Sequence, residues 1–479
     1  MSCMAPRFGE GTAATIWSLD DSLMSANNIG VRASFPNVTV LAKLHTIFAT
    51  LIFSVALVAV GGCEKAPAPT FHLNEVEILK QEKASLANGE HFDDSHDDEI
   101  RNILSSLFGT PDQPRFPFLQ GDEDPAHEFI DFENLEWAAG RVHSDQDGKP
   151  ISGLYREHCA QCHGITGDGA GATAAFLNPY PRDFRLSKFK FKSTPLRRSP
   201  TDHDLELVLR NGIPGTAMPS FRTLPDEEIQ ALIDYVKYLT IRGQMERMLI
   251  SELSSTEGKP LLDMSHAEDG DLVAALAKIE STDASTDRDD DVAESDESRS
   301  AFEEQLDYLL NELYFEGPLK RWSNTEDAVT EVPPVPESIR TTHPDHSQLV
   351  ELGRELFYAK GNCAQCHGDT AMGDGQQTSY DDWTNDWIKS AGVDPTDKST
   401  YQDFLDAGAL RPRAIRPRNL RLPVYRGGGR PEDLYLRIKN GIEGTPMPAA
   451  ATLSDQEIWA MVAYVKSLPF EQVVPQETK

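Results

Sequence analysis

The chain contains the hexapeptide Cys-Ala-Gln-Cys-His-Gly twice, at residues 159–164 and 363–368. In each copy, two thiols lie one helical turn apart and an imidazole follows directly. This spacing is the signature of covalent haem attachment, because both sulfurs can form thioethers with one porphyrin edge while the histidine ligates the iron. The motifs predict two haem c groups with His163 and His367 as proximal ligands. The predicted thioether positions are Cys159, Cys162, Cys363 and Cys366.

A methionine loop follows each motif. Gly-Ile-Pro-Gly-Thr-Ala-Met-Pro ends at Pro219, and Gly-Ile-Glu-Gly-Thr-Pro-Met-Pro ends at Pro448. A methionine opposite the proximal histidine is the expected sixth ligand of such a haem, and it raises the reduction potential. The loops therefore predict Met218 and Met447 as the distal iron ligands.

Other chemistry also uses closely spaced cysteines. A redox dithiol, half of a zinc site or a disulfide would fit a single Cys-x-x-Cys. A zinc site needs a second pair of Cys or His ligands, but four of the six cysteines lie in the two motifs and the others are Cys3 and Cys63. Two identical motifs, each with its own methionine loop, favour the haem interpretation.

Composition limits the possible partners. The 479 residues contain 45 Lys and Arg against 77 Asp and Glu, which gives a net charge of −32. This charge argues against nucleic-acid binding and against a polybasic membrane patch. It fits either a solvated surface or a docking field for a partner with a basic face.

The segment from Thr46 to Gly62 is apolar and follows Lys43. It is short for a membrane-spanning helix, which needs about 20 residues, and it has the form of a signal-peptide core. Val-Gly-Gly-Cys at 60–63 resembles a bacterial lipobox, which implies cleavage before Cys63 and lipidation of its thiol. An uncleaved N-terminal anchor is the alternative. Residues 1–62 are interpreted as a start-site artefact followed by the signal peptide.

The remaining chain divides by composition and periodicity. We expect a lipid-anchored tether and small helical spacer at 63–143, haem domains at 144–250 and 346–470, an acidic, largely flexible linker at 251–345, and a tail at 471–479. The closing helices of the two haem domains repeat an apolar stripe and the tripeptide Tyr-Val-Lys, which indicates an internal duplication. The acidic linker predicts tethered domains with limited direct contact.

Both modules resemble class I cytochrome c domains, and the whole chain resembles bacterial dihaem c-type cytochrome lipoproteins of respiratory chains. The resemblance implies an all-α fold of two tandem domains, in which the first and last helices of each cross beside the haem. It also implies that the carbonyls of Pro181 and Pro417 orient the proximal histidines. Arg182, Arg418 and Arg426 are candidate partners of haem propionates, and the insertion around Trp383 and Trp387 is expected to form a flap over one haem edge.

The expected function is electron transport without substrate chemistry. The resemblance implies transfer between a quinol-oxidising complex or dehydrogenase and a terminal oxidase, on the periplasmic side of a bacterial membrane. A dihaem peroxidase is one alternative, but it needs an iron with an open or displaceable distal position, and both methionine loops are intact. An electron-transfer subunit of a dehydrogenase remains open.

Overall fold

The computed structural model describes residues 68–89, 92, 97–116, 130–252, 260–262, 302, 304–375 and 379–472. The predicted signal segment, the lipidation of Cys63 and the acidic run at 280–298 lie outside these residues. In the described part, no helix is both long and apolar enough to cross a membrane. Its regular structure is mainly helical with three short strand pairs, which confirms the all-α prediction.

The elements are named here in chain order. The N-terminal segment and first module contain α1 (Glu75–Asn88), α2 (Asp97–Phe108), α3 (Phe132–Ala138), α4 (Leu154–His158), α5 (Ala160–His163), α6 (Asp202–Asn211) and α7 (Asp226–Glu252). The later part contains a π-helix (Tyr308–Leu319), α8 (Lys320–Ser323), α9 (His346–Tyr358), α10 (Ala364–His367), α11 (Asp382–Ala391), α12 (Gln402–Asp406), α13 (Pro431–Asn440) and α14 (Asp455–Ser467).

The strands form antiparallel pairs of two or three residues. They are β1 (Gly109–Thr110) with β2 (Gln113–Pro114), β3 (His143–Ser144) with β4 (Pro150–Ser152), and β5 (Ser379–Tyr380) with β6 (Ala414–Ile415). Each pair closes a loop and leaves the packing of the core to the helices.

Helix α7 is the centre of the first module. Acidic residues occupy its first turn, where they interact favourably with the helix dipole. The predicted stripe of Ile229, Leu232, Ile233 and Val236 is buried. Burial extends around almost the whole helix from Glu228 to Glu246, so other elements must cover the faces that the stripe does not account for.

The N-terminal segment supplies part of this cover, contrary to the interpretation of 63–143 as a spacer. The apolar face of α2, which includes Ile100 and Leu107, is fully buried in the same core as α7. The Phe108 ring lies 6.1 Å from the ring of Tyr238 on α7. Glu246, also on α7, accepts a hydrogen bond from the Asn74 backbone at 2.9 Å. The described part of this segment therefore belongs to the first module.

The end of the predicted flexible linker is also folded. Leu309, Leu313 and Trp322 are buried in the first module's core, and the Tyr314 ring lies 6.0 Å from that of Phe108. The apolar residues that follow the acidic run pack against the core of the first module. The prediction of a flexible linker was therefore wrong for this stretch.

The second module is built on the crossing of α9 and α14. Ser454 and Glu457 form a capping box at the start of α14, and Ile458 and Val462 are fully buried. A Cβ atom at Gly353 of α9 would lie 2.0 Å from the Ala460 carbonyl oxygen. A glycine is therefore needed where the two helices cross.

The insertion of the second module packs mainly against α1. Trp387 and Phe404 stack with ring centroids 4.5 Å apart, and Val76 and Leu79 of α1 pack against this small core. Lys80 of α1 forms an ion pair with Asp386 at 2.9 Å. The expected flap thus joins the second module to the N-terminal segment.

The two modules also contact each other directly, so the prediction of limited docking was wrong. Lys192 and Glu443 form an ion pair at 2.6 Å, the Asn440 amide donates to the Ser193 carbonyl at 3.2 Å, and the Arg413 guanidinium lies 3.5 Å from the centre of the Tyr180 ring. The composition of the linker does not predict specific polar contacts between the two modules.

Replacing Phe108 by Ala tests whether the N-terminal segment is part of the first module. Removing a fully buried ring that packs on Tyr238 and Tyr314 should lower the free energy of unfolding by about 3–5 kcal/mol. Denaturant unfolding of the haem-loaded protein measures this change. Leu86→Ala, at a side chain that is 63% exposed on α1, is the control and should change stability by less than about 0.5 kcal/mol. If the two substitutions changed the free energy of unfolding equally, the segment would be a spacer and not part of the first module.

Candidate haem sites

The four motif cysteines are present as thiols. Cys159 lies between α4 and α5 and is buried, which raises its pKa to about 12. Cys363 occupies the same place before α10, and burial raises its pKa to about 11. The Cys162 sulfur lies 3.3 Å from the Thr173 hydroxyl. None of the four forms a disulfide, so these thiols are available for thioether bonds.

Both proximal histidines are oriented by a backbone carbonyl. Nδ1 of His163 lies 3.0 Å from the Arg182 carbonyl oxygen, and Nδ1 of His367 lies 3.0 Å from that of Arg418. A carbonyl can only accept, so Nδ1 donates its proton and Nε2 is left as the metal-binding nitrogen. Burial lowers the pKa of both imidazoles, which favours the neutral form that binds iron.

The orienting carbonyl is one residue later than the resemblance implied. A Cβ atom at Gly169 would lie 2.9 Å from the Pro181 oxygen, and one at Gly373 would lie 2.3 Å from the Pro417 oxygen. Each proline carbonyl therefore faces a glycine of the loop after the motif. The arginine that follows supplies the acceptor, and the prediction for the prolines was wrong in this respect.

Hydrogen bonds close each methionine loop around a threonine. The Thr216 hydroxyl donates to the Ile213 carbonyl at 2.7 Å and accepts from the Met218 amide at 3.1 Å. The Ile213 amide donates to the Met218 carbonyl at 3.2 Å. The second loop repeats these bonds at 2.7, 3.2 and 3.1 Å among Ile442, Thr445 and Met447. Both methionines are half-buried. Each closed loop therefore already holds its methionine sulfur in position.

Alternative iron ligands have other roles or positions. Met461 is buried in the core of the second module, as its place on the apolar stripe predicted. His203 on α6 is 71% exposed and lies 3.6 Å from Glu206. The His158 ring packs 5.8 Å from the ring of Phe221.

One aromatic neighbour of the first site was not identified from the sequence. The Phe184 ring stacks on the His163 imidazole at 4.7 Å with an interplanar angle of 12°. Pro181-Arg-Asp-Phe aligns with Pro417-Arg-Asn-Leu, so Leu420 takes this place in the second module. The two aligned segments differ at this position, and that difference was the signal available in the sequence. The two sites therefore have the same candidate ligands but different neighbouring side chains.

The residues present fit haem c at both positions. Each set combines two free thiols on one turn, an imidazole whose Nδ1 is already bonded, and a methionine in a closed loop. Two family matches agree with this geometry. Residues 146–236 match the family described as cytochrome c oxidase, cbb3-type, subunit III, and residues 350–469 match the cytochrome c family.

Comparison with whole proteins adds little. No curated protein matches the chain. A solved chain from the reducing HAO-like protein complex of Kuenenia stuttgartiensis is 22% identical, with 68% of this chain and 99% of that chain covered and a TM-score of 0.38.

The site chemistry and the family matches define the class of both modules, which are cytochrome c domains. The chain is accordingly a dihaem class I c-type cytochrome with two covalently bound haem c groups.

Replacing Thr216 by Val should loosen the first distal ligand. The change removes two hydrogen bonds that close the Met218 loop, each contributing about 1 kcal/mol. We expect the affinity of the ferric first haem for added imidazole to rise by up to about thirtyfold, as measured by optical titration. Thr445→Val should act in the same way on the second haem. Thr341→Val, at an exposed position, is the control, and an equal response from it would remove the threonine from this role.

Proposed function

We propose that this protein is a one-electron carrier whose haems are both six-coordinate, and not an enzyme. The observation that supports the proposal is that each module combines a histidine bonded through Nδ1 to a carbonyl with a methionine in a loop closed by its own threonine. An iron with two protein ligands offers no free position to a substrate. A peroxidase would need such a position and an acid or base beside it.

The protein contributes ligation, orientation and exclusion of water. A bound haem c supplies the Fe(II)/Fe(III) couple. The carbonyls of Arg182 and Arg418 hold the imidazoles in one orientation and increase their basicity as ligands. The Met218 and Met447 loops keep their sulfurs in place during oxidation and reduction, so little reorganisation accompanies electron transfer.

We further propose that the carrier works on the periplasmic side of a bacterial membrane, attached through a lipid on Cys63. Its donor would be a quinol-oxidising complex or a dehydrogenase, and its acceptor a terminal oxidase. The apolar run before Cys63 and the lipobox-like sequence support the location. The net charge of −32 supports partners with basic docking faces.

An optical redox titration of the purified, haem-loaded protein tests the carrier proposal. We expect two c-type haems per chain, a far-red methionine–Fe(III) band from both, and no binding of carbon monoxide by the reduced protein. Met218→Ala and Met447→Ala should each remove one band and allow one haem to bind carbon monoxide. Met461→Leu, in the core of α14, is the matched control and should retain both bands.

A haem in the unaltered protein that lacks the band and binds carbon monoxide would contradict the proposal. Turnover of hydrogen peroxide by that protein would then support the peroxidase alternative.

A further inference from the structure

The contact between the modules is built from the same loops that form the haem sites. The Arg182 carbonyl binds His163, while the Arg182 side chain reaches the methionine loop of the second module. A Cβ atom at Gly444 of that loop would lie 3.5 Å from Nη1 of Arg182. One residue thus contacts the proximal side of one haem site and the distal loop of the other.

The reverse contact exists as well. The Arg418 carbonyl binds His367, and a Cβ atom at Gly215 in the first methionine loop would lie 3.3 Å from Nη2 of Arg418. Nη2 of Arg426 lies 3.4 Å from the Gly215 carbonyl oxygen. Gly215 and Gly444 are equivalent in the two loops, as are Arg182 and Arg418 after their prolines. The junction therefore has approximate two-fold symmetry.

Positive charge accumulates at this junction. In the alignment of the segment that begins at Pro181 with the one that begins at Pro417, Lys190 is equivalent to Arg426. We call Arg182, Lys190, Arg418 and Arg426 the junction cations. Burial, together with the charges of Arg182 and Arg426, lowers the pKa of Lys190 to about 8. Repulsion from Arg418 adds to burial in lowering the pKa of Arg426. The cations therefore lie close enough to repel one another.

The described residues provide few anions for this charge. Asp382 pairs with Arg182 at 3.3 Å, and Asp382 and Asp381 partly offset the lowering of the Lys190 pKa. Among the described residues, the Arg418 guanidinium donates to the Val424 carbonyl, and Nε of Arg426 is buried without a hydrogen-bond partner. Cations that are partly shielded from water and have few counter-ions are costly. In a chain with a net charge of −32, their concentration here indicates that anions from outside the polypeptide complete the junction.

We propose that the junction cations are a shared counter-charge for the propionates of both haems, and that Arg182 and Arg418 each act mainly on the haem of the other module. This proposal rests on the electron-carrier function. Bound haems would supply two Fe(II)/Fe(III) couples, and transfer of one electron between them would oxidise one iron and reduce the other. Because both haems would share the same cations, removal of one cation would shift both potentials.

Reciprocal substitution tests the exchange between modules. The full-length, haem-loaded protein carries either Arg182→Gln or Arg418→Gln, and both potentials are measured by spectroelectrochemistry. Loss of a nearby cation should favour the ferric form about tenfold, which lowers the potential by about 59 mV. The larger shift should belong to the second haem in Arg182→Gln and to the first haem in Arg418→Gln. Met218→His and Met447→His identify the haems, because each removes the far-red band and lowers the potential of one of them.

Two controls make the result decisive. Arg340→Gln removes the same charge from a side chain that is 72% exposed and should shift neither potential. Lys190→Gln removes a junction cation from a residue that makes no hydrogen bond to a proximal histidine, and it should lower at least one potential even if an arginine variant folds poorly. A larger shift at each arginine's own haem, or no shift in any junction variant, overturns the proposal. Carbon monoxide binding by the unaltered protein would instead contradict the carrier function, so the two failures are distinguishable.

Discussion

The hydrogen bond between each proximal imidazole and the carbonyl of the following Pro-Arg segment is the contact on which both sites depend. At 3.0 Å in both modules, it fixes the tautomer and the plane of the ring. It also fixes the position of an arginine whose side chain extends to the other module. The orientation of one iron ligand and the contact between modules are thus set by the same short stretch of backbone, and a change in one affects the other.

The two modules cover their hydrophobic cores with different elements. In the second, α9 and α14 cross at Gly353 and bury a compact set of side chains. In the first, α7 continues well beyond the length of α14 and needs more cover. Helix α2 and the π-helix supply it and meet at the Phe108 and Tyr314 rings. The first domain therefore includes segments that are far apart in sequence. It is much larger than the haem motif alone would predict.

The candidate haem ligands and the apolar stripe of the closing helix could be predicted from sequence because they depend on local rules. A Cys-x-x-Cys-His motif, the capping box at Ser454 and the stripe beginning at Ile229 each involve residues within a few turns of one another. The burial partners of α2 were not accessible. The spacing of Ile100, Ile103 and Leu107 shows that one face is buried, but it does not show that the face packs on a helix more than 100 residues later.

The orienting carbonyl and the docking of the modules were missed for a related reason. Choosing between the carbonyls of Pro181 and Arg182 requires the direction of each peptide plane, which residue types do not specify. The acidic run at 280–298 predicts repulsion within itself, but it contains no information about Lys192, Glu443 or Asn440. Those residues form specific contacts between surfaces that the linker only brings within reach.

Charge is distributed unevenly in this chain, and the distribution has a physical consequence. A net charge of −32 makes the exterior favourable to basic partners, whereas Arg418 and Arg426 lie between the modules with carbonyl oxygens as their contacts. Both side chains are partly shielded from water, and the lower local dielectric strengthens their electrostatic effect. Solvent ions screen the outer charges far more than the buried ones. Ionic strength should therefore act mainly on encounters with partners, while the electrostatics between the two haem sites remain a property of the folded chain.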